Sequence, residues 1–167
     1  MPPFFSTGSA LIDGPYRYLL QRDLPCKGPT MSITLVNTSY ADAEANDHTV
    51  RKVIGFAQRL KVGRVIVTNK FAYRANNMTL LAQAENPVGP KNDFYIKQAL
   101  READIHVVAW GPLGKLPPIL RNRWLRVARM MDDKGIKPLC WGIAKDGQPL
   151  HPVMLGYDRV LTEWVKP

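Results

Sequence analysis

The chain has 167 residues, which is enough for one sizeable hydrophobic core and short for two, so we expect a single domain over residues 1–167. Lysine and arginine outnumber aspartate and glutamate by 23 to 14, and the net charge of +9 favours a polyanionic partner such as nucleic acid, although many soluble proteins are basic without a functional reason. No stretch approaches the roughly 20 continuous apolar residues of a membrane-spanning helix, and residues 1–10 lack the pattern of a secretory signal. The sequence therefore predicts a cytoplasmic protein without a membrane span.

The amino-terminal half alternates between predicted strands and a predicted helix. Residues 16–20 predict an edge strand, and the β-branched residues 33–36 predict a strand inside the sheet. Asp47 is placed to cap a helix whose apolar residues recur on one face. Residues 65–68 predict another buried strand, which ends at Asn69. This strand–helix–strand order is typical of parallel strands joined by a right-handed crossover.

The carboxyl-terminal half continues the alternation. Pro90 can open a helix, and residues 105–109 predict a third buried strand, which ends at Trp110. Apolar residues at helical spacing predict a helix within residues 117–133, and residues 138–143 predict a short last strand. We therefore expect an α/β fold with a mostly parallel central sheet flanked by helices, in which ligands bind beyond the carboxyl ends of the strands.

Polar side chains that follow these strands are the candidate site residues. Asn37 and Asn69 carry the donors and the acceptor needed to read the edge of a nucleobase, although asparagine is also common where strands end in turns. His151, set between prolines 149 and 152, could donate a hydrogen bond to developing negative charge, or could be a surface histidine without a task. Asp42 could position a water molecule as a general base.

The sequence lacks the usual signatures of cofactor and metal sites. It contains neither a Walker-type phosphate loop nor the glycine-rich turn of dinucleotide-binding proteins. The three histidines are scattered, and the two cysteines, Cys26 and Cys140, lie far apart. We therefore expect neither a cofactor nor a metal ion.

Several segments resemble a bacterial and phage family known as domain of unknown function 1643. They span most of the chain in the order usual for that family, as residues 37–43, 47–51, 67–74, 87–93, 109–111 and 151–152. This resemblance implies a bacterial cell or a phage-infected host as the setting. The family name implies no activity.

The order of the strand-end motifs also resembles that of the uracil-DNA glycosylase superfamily. The resemblance implies that Asn37 lies in the loop that handles water, that Asn69 reads the base, and that Trp110 belongs to the third motif. It further implies that His151 stabilises the departing base and that Met154 or Leu155 wedges into DNA. The superfamily usually has a proline after the first asparagine, where this chain has Thr38.

The sequence thus predicts a DNA glycosylase-like enzyme that extrudes a normal or modified base and cleaves its N-glycosidic bond. Tyr40 or Phe71 could stack on the extruded base, or could belong to the core. The alternatives are a non-catalytic nucleic-acid or nucleotide-binding protein, which Thr38 favours slightly, and a hydrolase that acts on free nucleotides. Basic residues expected to contact phosphates include Arg51, Arg74, Arg121 and Arg123.

Overall fold

The computed structural model describes residues 8–38 and 46–167, and its strands form one sheet. In chain order the strands are β1 (Ser9–Asp13), β2 (Tyr16–Asp23), β3 (Thr30–Thr38), β4 (Arg64–Arg74), β5 (Ile105–Val108), β6 (Leu139–Cys140) and β7 (Thr162–Glu163). In space their order is β1-β2-β4-β3-β5-β6-β7. Strand β3 therefore lies in the middle of the sheet.

The prediction of a mostly parallel sheet was wrong. Among the described strands, β1 pairs with β2, β2 with β4, and β6 with β7 in antiparallel fashion. Only β4, β3, β5 and β6 are parallel to one another. The sheet is therefore mixed, because antiparallel strands extend it at both edges. The pattern of apolar residues along a strand shows that it is buried but not which direction its neighbour runs.

The three buried strands at the centre are neighbours, as their apolar sequences predict. Ile33 of β3 lies opposite Val67 of β4 on one side and Val107 of β5 on the other. The hydroxyl groups of Thr34 and Thr68 also share a hydrogen bond of 3.1 Å between β3 and β4. These pairings bring the carboxyl ends of β3 and β5 together at one end of the sheet.

Helices pack on both faces of the sheet. They are α1 (His48–Arg59), α2 (Met78–Gln83), α3 (Asn92–Glu102) and α4 (Arg123–Asp133), with single 3₁₀ turns at Leu113–Lys115, Pro118–Leu120 and Pro152–Met154. The buried side chains of α1 pack on the same face as Ile33 and Leu35, whereas α2, α3 and α4 share a second cluster with Val36 and Val108. None of the helices in the described ranges is both long and apolar enough to cross a membrane.

Strand β4 continues past Asn69, which corrects the predicted strand end. Three residues of β2 (17–19) lie opposite five residues of β4 (68–72), because the pairs Tyr16–Tyr73 and Leu20–Val67 enclose an irregular stretch. In this bulge the Asn92 side chain donates to the carbonyl oxygens of Asn69 and Lys70, at 2.9 and 3.1 Å. A helix side chain thus bonds these two backbone oxygens, and the strand proceeds to Arg74.

Five other elements differ from the sequence prediction. Strand β2 is not at the edge, because β1 pairs with it on its outer side. Helix α2 and strands β1 and β7 were not predicted, since each is short. The last parallel strand comprises only Leu139–Cys140 instead of residues 138–143. The cap of α1 was predicted correctly, because the Asp47 carboxylate accepts from the backbone N–H of Val50 at 2.8 Å.

A close backbone approach holds the β2–β3 loop against the turn between α1 and β4. A methyl group added at Gly28 would overlap the carbonyl group of Lys61, which is backbone and cannot swing away. We therefore expect Gly28→Ala to lower the free energy of unfolding by about 2 kcal/mol. Gly114→Ala is the control, because no atom lies within contact distance of an added methyl group there. Equal denaturant midpoints for the two variants would contradict this prediction.

Candidate functional site

A cavity of about 210 Å³ opens where β3 and β5 end. It is smaller than the roughly 300–1,000 Å³ pockets that hold drug-sized ligands, so it suits a single ring. Asn37, Trp110 and His151 lie in its wall, which brings together three of the residues singled out from the sequence. The other lining residues are Val36, Met78, Gly111, Pro112, Lys115, Leu116 and Val153.

Asn37 presents a hydrogen-bond acceptor to this cavity. Its Nδ2 group donates to the carbonyl oxygens of Thr38 and Ala75, at 3.2 and 3.5 Å. No donor within the described residues bonds to Oδ1 of Asn37, so that oxygen can accept from a ligand N–H or a water molecule. The neighbouring Thr38 hydroxyl lies 3.3 and 3.2 Å from the carbonyl oxygens of Ala72 and Tyr73, and so joins β3 to β4.

Trp110 is a fixed part of the cavity wall. Its ring is buried, its Nε1 donates to Oε1 of Gln148 at 2.8 Å, and it packs edge-on against Trp164. The next residue, Gly111, has a φ of +82° and donates its backbone N–H to the carbonyl oxygen of Pro149 at 2.8 Å. This backbone bond ties the end of β5 to the segment that carries His151.

His151 is held as a neutral hydrogen-bond donor. Its Nδ1 accepts from the backbone N–H of Val153 at 3.2 Å, so the proton of the neutral ring is on Nε2. Burial, together with the nearby positive charge of Lys115, lowers the pKa of His151 to about 4, against the opposing effect of Asp47. The ring is therefore uncharged at neutral pH, and no acceptor among the described residues bonds to its Nε2–H.

Lys115 adds a positive charge to the cavity wall, and sequence reasoning missed it. It ends the 3₁₀ turn Leu113–Lys115, whose first backbone N–H donates to the Asp146 carboxylate at 2.8 Å. The lysine side chain is exposed, so its charge is accessible from solvent as well as from the cavity. Nothing in the local sequence distinguishes it from the other surface lysines.

Of the two candidate wedge residues, only Met154 is exposed. Its side chain is 88% exposed beside the cavity-lining Val153, whereas Leu155 is 9% exposed and packs into the core on the α1 face. A residue that inserts into DNA must project from the surface. The exposure therefore favours Met154 over Leu155.

Asn69 and Phe71 are not among the residues that line this cavity. Asn69 is 1% exposed within β4, and both polar atoms of its side chain lack a hydrogen-bond partner. Phe71 is 1% exposed and belongs to the core on the α2–α4 face. Both residues lie outside the cavity wall, so the structure gives no support to their predicted contacts with a base. Tyr40 and Asp42 lie outside the described residues, and their roles stay predictions.

The four arginines predicted to contact phosphates occupy different environments. Arg51 is exposed in the first turn of α1, Arg74 is half-buried at the end of β4, and Arg121 donates to the carbonyl oxygen of Leu116, a cavity residue. Arg123 differs because its side chain is only 8% exposed, contacts Asp93 at 2.6 Å and donates to the carbonyl oxygen of Lys70. Arg123 thus joins α4 to α3 and β4.

Lys70 is a buried amine that the sequence did not single out. It is completely buried, its Nζ lies 5.3 Å from the centre of the Trp110 ring, and Nζ has no hydrogen-bond partner. Burial, with a further contribution from the positive charge of Arg123, lowers the pKa of Lys70 to about 7, and Asp146 opposes this shift. At neutral pH a large part of the population therefore carries an uncharged amine next to the cavity wall.

The cavity does not offer a metal site. Within the described ranges no group of three His, Cys, Asp or Glu residues is arranged to hold a metal ion. Its polar groups are one amide, one imidazole and one amine, with apolar side chains between them. This combination suits an uncharged or anionic organic ring.

The fold and the cavity define a mixed α/β protein with a small cavity at the carboxyl ends of two parallel strands. The chain matches the family model described as protein of unknown function, DUF1643, over residues 17–153, and it belongs to that family. The family resemblance predicted from the sequence is thereby confirmed. No curated protein and no solved structure matches the chain. The resemblance to the uracil-DNA glycosylase superfamily stays a prediction.

The buried amine of Lys70 makes a testable prediction for stability. Its pKa is lowered from 10.5 to about 7 in the folded protein, so the unfolded chain binds more protons between these two pH values. The free energy of unfolding should therefore rise from pH 7 to pH 10, by up to about 4 kcal/mol. Lys70→Met should remove this rise and stabilise the protein most at or below pH 7.

Denaturant unfolding at a series of pH values measures this effect. The control is Lys134→Met, which removes an exposed lysine from the end of α4. The prediction fails if wild type and Lys70→Met show the same dependence of stability on pH.

Proposed function

We propose that the chain binds an extruded nucleobase in the Asn37–Trp110–His151 cavity and hydrolyses the bond between that base and its sugar. The observation that carries this proposal is the neutral His151, whose Nδ1 is occupied by the Val153 N–H and whose side chain lines a cavity of single-ring size. A neutral donor suits a leaving base, because it strengthens its hydrogen bond as negative charge develops and keeps its own proton.

The reaction needs only water as a second reactant. The oxygen of water bonds to the sugar carbon C1′, the C1′–N bond breaks, and its electron pair leaves with the base. His151 donates a hydrogen bond to the negatively charged base, and Lys115 attracts it electrostatically. The base takes up a proton from solvent, and the attacking water loses one to Asp42 or to solvent.

Asn37 fits two roles in this reaction. Its Oδ1 can accept from the attacking water or from an N–H group at the edge of the base, since Nδ2 is already bonded to Thr38 and Ala75. Trp110 forms one wall of the cavity and stays fixed through Gln148. The site thus binds a ring between a rigid indole and two polar groups.

A non-catalytic binding protein is the second candidate. Both hydrogen bonds that Nδ2 of Asn37 donates go to backbone carbonyl oxygens, and the Thr38 hydroxyl fastens the strand end to β4. This bonding would hold the end of β3 in one geometry without a need to position water. Binding of DNA without release of any base would support this candidate over the first.

Single-turnover base release tests the enzymatic proposal. Oligonucleotides that carry different normal and modified bases, single-stranded and duplex, are incubated with the protein and scored for abasic sites. For the substrate that reacts, His151→Ala should lower the rate about a hundredfold, because one donor to a developing charge contributes about 10²–10³ in rate. Binding should weaken less. Wild-type activity in His151→Ala would rule out the proposed role of this ring.

Two further measurements sharpen this test. His106→Gln is the matched control, since His106 bonds to the carbonyl oxygen of Leu100 in another part of the fold. Its base release should equal that of wild type. The wild-type rate should also stay unaffected by His151 protonation between pH 6 and 8, because the pKa of this ring is about 4. An acid limb near pH 6.5 that His151→Ala abolishes would contradict the neutral-donor mechanism.

DNA binding should depend steeply on salt, because cations near the cavity would replace counterions on phosphates. If three or more phosphates are contacted, affinity should fall on the order of tenfold or more between about 50 and 200 mM salt. Arg51→Gln should reduce the slope of log affinity against log salt by about one. Arg129→Gln, which removes an exposed cation from α4, should leave that slope unchanged. Affinity that does not vary with salt would favour action on free nucleotides.

A further inference from the structure

A second cavity, of about 310 Å³, lies beside the first at the end of β4. Its wall includes Tyr73, Arg74, Asn76, Leu80 and Gln83. These side chains combine a guanidinium group, two amides and a phenol ring. The cavity is therefore more polar than the first one, whose wall is mostly apolar.

Helix α2 separates the two cavities. Its first residue, Met78, lines the first cavity, and its later residues Leu80 and Gln83 line the second. Asn37 of the first cavity also donates to the carbonyl oxygen of Ala75, which lines the second. A ligand that continues beyond the first cavity past Asn37 would thus meet the second one next.

The side chains of the second cavity suit a nucleotide unit. Asn76 and Gln83 each carry donors and an acceptor, and no hydrogen bond within the described part of the chain engages either side chain. Amide groups of this kind can pair with the edge of a base. The half-buried Tyr73 ring offers an aromatic face, and Arg74 offers a positive charge for a phosphate group.

We infer that the second cavity is a subsite for the nucleotide adjacent to the one whose base enters the first cavity. This inference rests on the proposed function and extends it, because it makes a strand of DNA, and not a free nucleotide, the ligand of the protein. Asn76 and Gln83 bind the edge of the neighbouring base, Tyr73 contacts its ring, and Arg74 contacts the phosphate that connects the two units.

Calorimetric binding of short probes tests the subsite. The probes are the four deoxynucleoside monophosphates and the four corresponding homotrinucleotides. Wild type should bind at least one trinucleotide about tenfold or more tightly than its mononucleotide, since contacts to one additional base contribute on this order. In the double variant Asn76→Ala with Gln83→Ala, this ratio should fall by about threefold or more, because the contacts of both amides with the adjacent base are lost. Affinity for the mononucleotide should not change.

The double variant keeps the charge of the protein, so loss of the trinucleotide advantage cannot come from weaker general attraction to phosphates. Gln58→Ala removes an exposed amide near the end of α1 and should retain the wild-type ratio. Thermal melting checks that each variant is folded.

The outcomes separate this inference from the proposed function. A trinucleotide advantage of wild-type size in the double variant overturns the subsite. Equal affinity of wild type for mononucleotides and trinucleotides also overturns the subsite. If His151→Ala weakens mononucleotide binding in that case, the result still supports binding in the first cavity. Failure of wild type to bind any probe contradicts both proposals.

Discussion

The parallel pairing of β3 with both β4 and β5 is the constraint on which the site depends. It makes two strands end side by side, so that Asn37 and Trp110 reach the same cavity. The hydrogen bond from Gly111 to Pro149 then attaches the His151 segment to this end of the sheet. A cavity wall built from three distant parts of the sequence is thus fixed by strand pairing and one backbone bond.

Much of the central sheet can be predicted from the sequence, because its strands are continuous apolar runs. Residues 33–36 and 105–109 gave the positions of β3 and β5 to within a few residues. The end of β4 could not be predicted in this way. The polar Asn69 and Lys70 interrupt the apolar run, and the strand continues because Asn92 and Arg123, from two later helices, bond to their carbonyl oxygens. The sequence around Asn69 does not indicate that these distant residues bond to it.

The candidate site likewise has residues that the sequence predicts and residues whose positions depend on tertiary contacts. Asn37 and Trp110 could be predicted to share a cavity, since both follow strands that lie next to each other. Asn69 was expected there by the same argument, but the bulge in β4 carries the strand onward and leaves Asn69 buried within it. Lys70 and Lys115 could not be singled out, because the chain has 23 lysines and arginines and their individual environments depend on tertiary packing.

The two groups with strongly lowered pKa values also affect the heat of unfolding. At pH 7 the folded chain holds Lys70 partly and His151 wholly without a proton, and both groups take up protons more readily once they are released into water. Unfolding is therefore coupled to the ionisation of the buffer that supplies these protons. The calorimetric enthalpy of unfolding includes the ionisation enthalpy of that buffer, so it should differ between phosphate and Tris at the same pH and the same melting temperature.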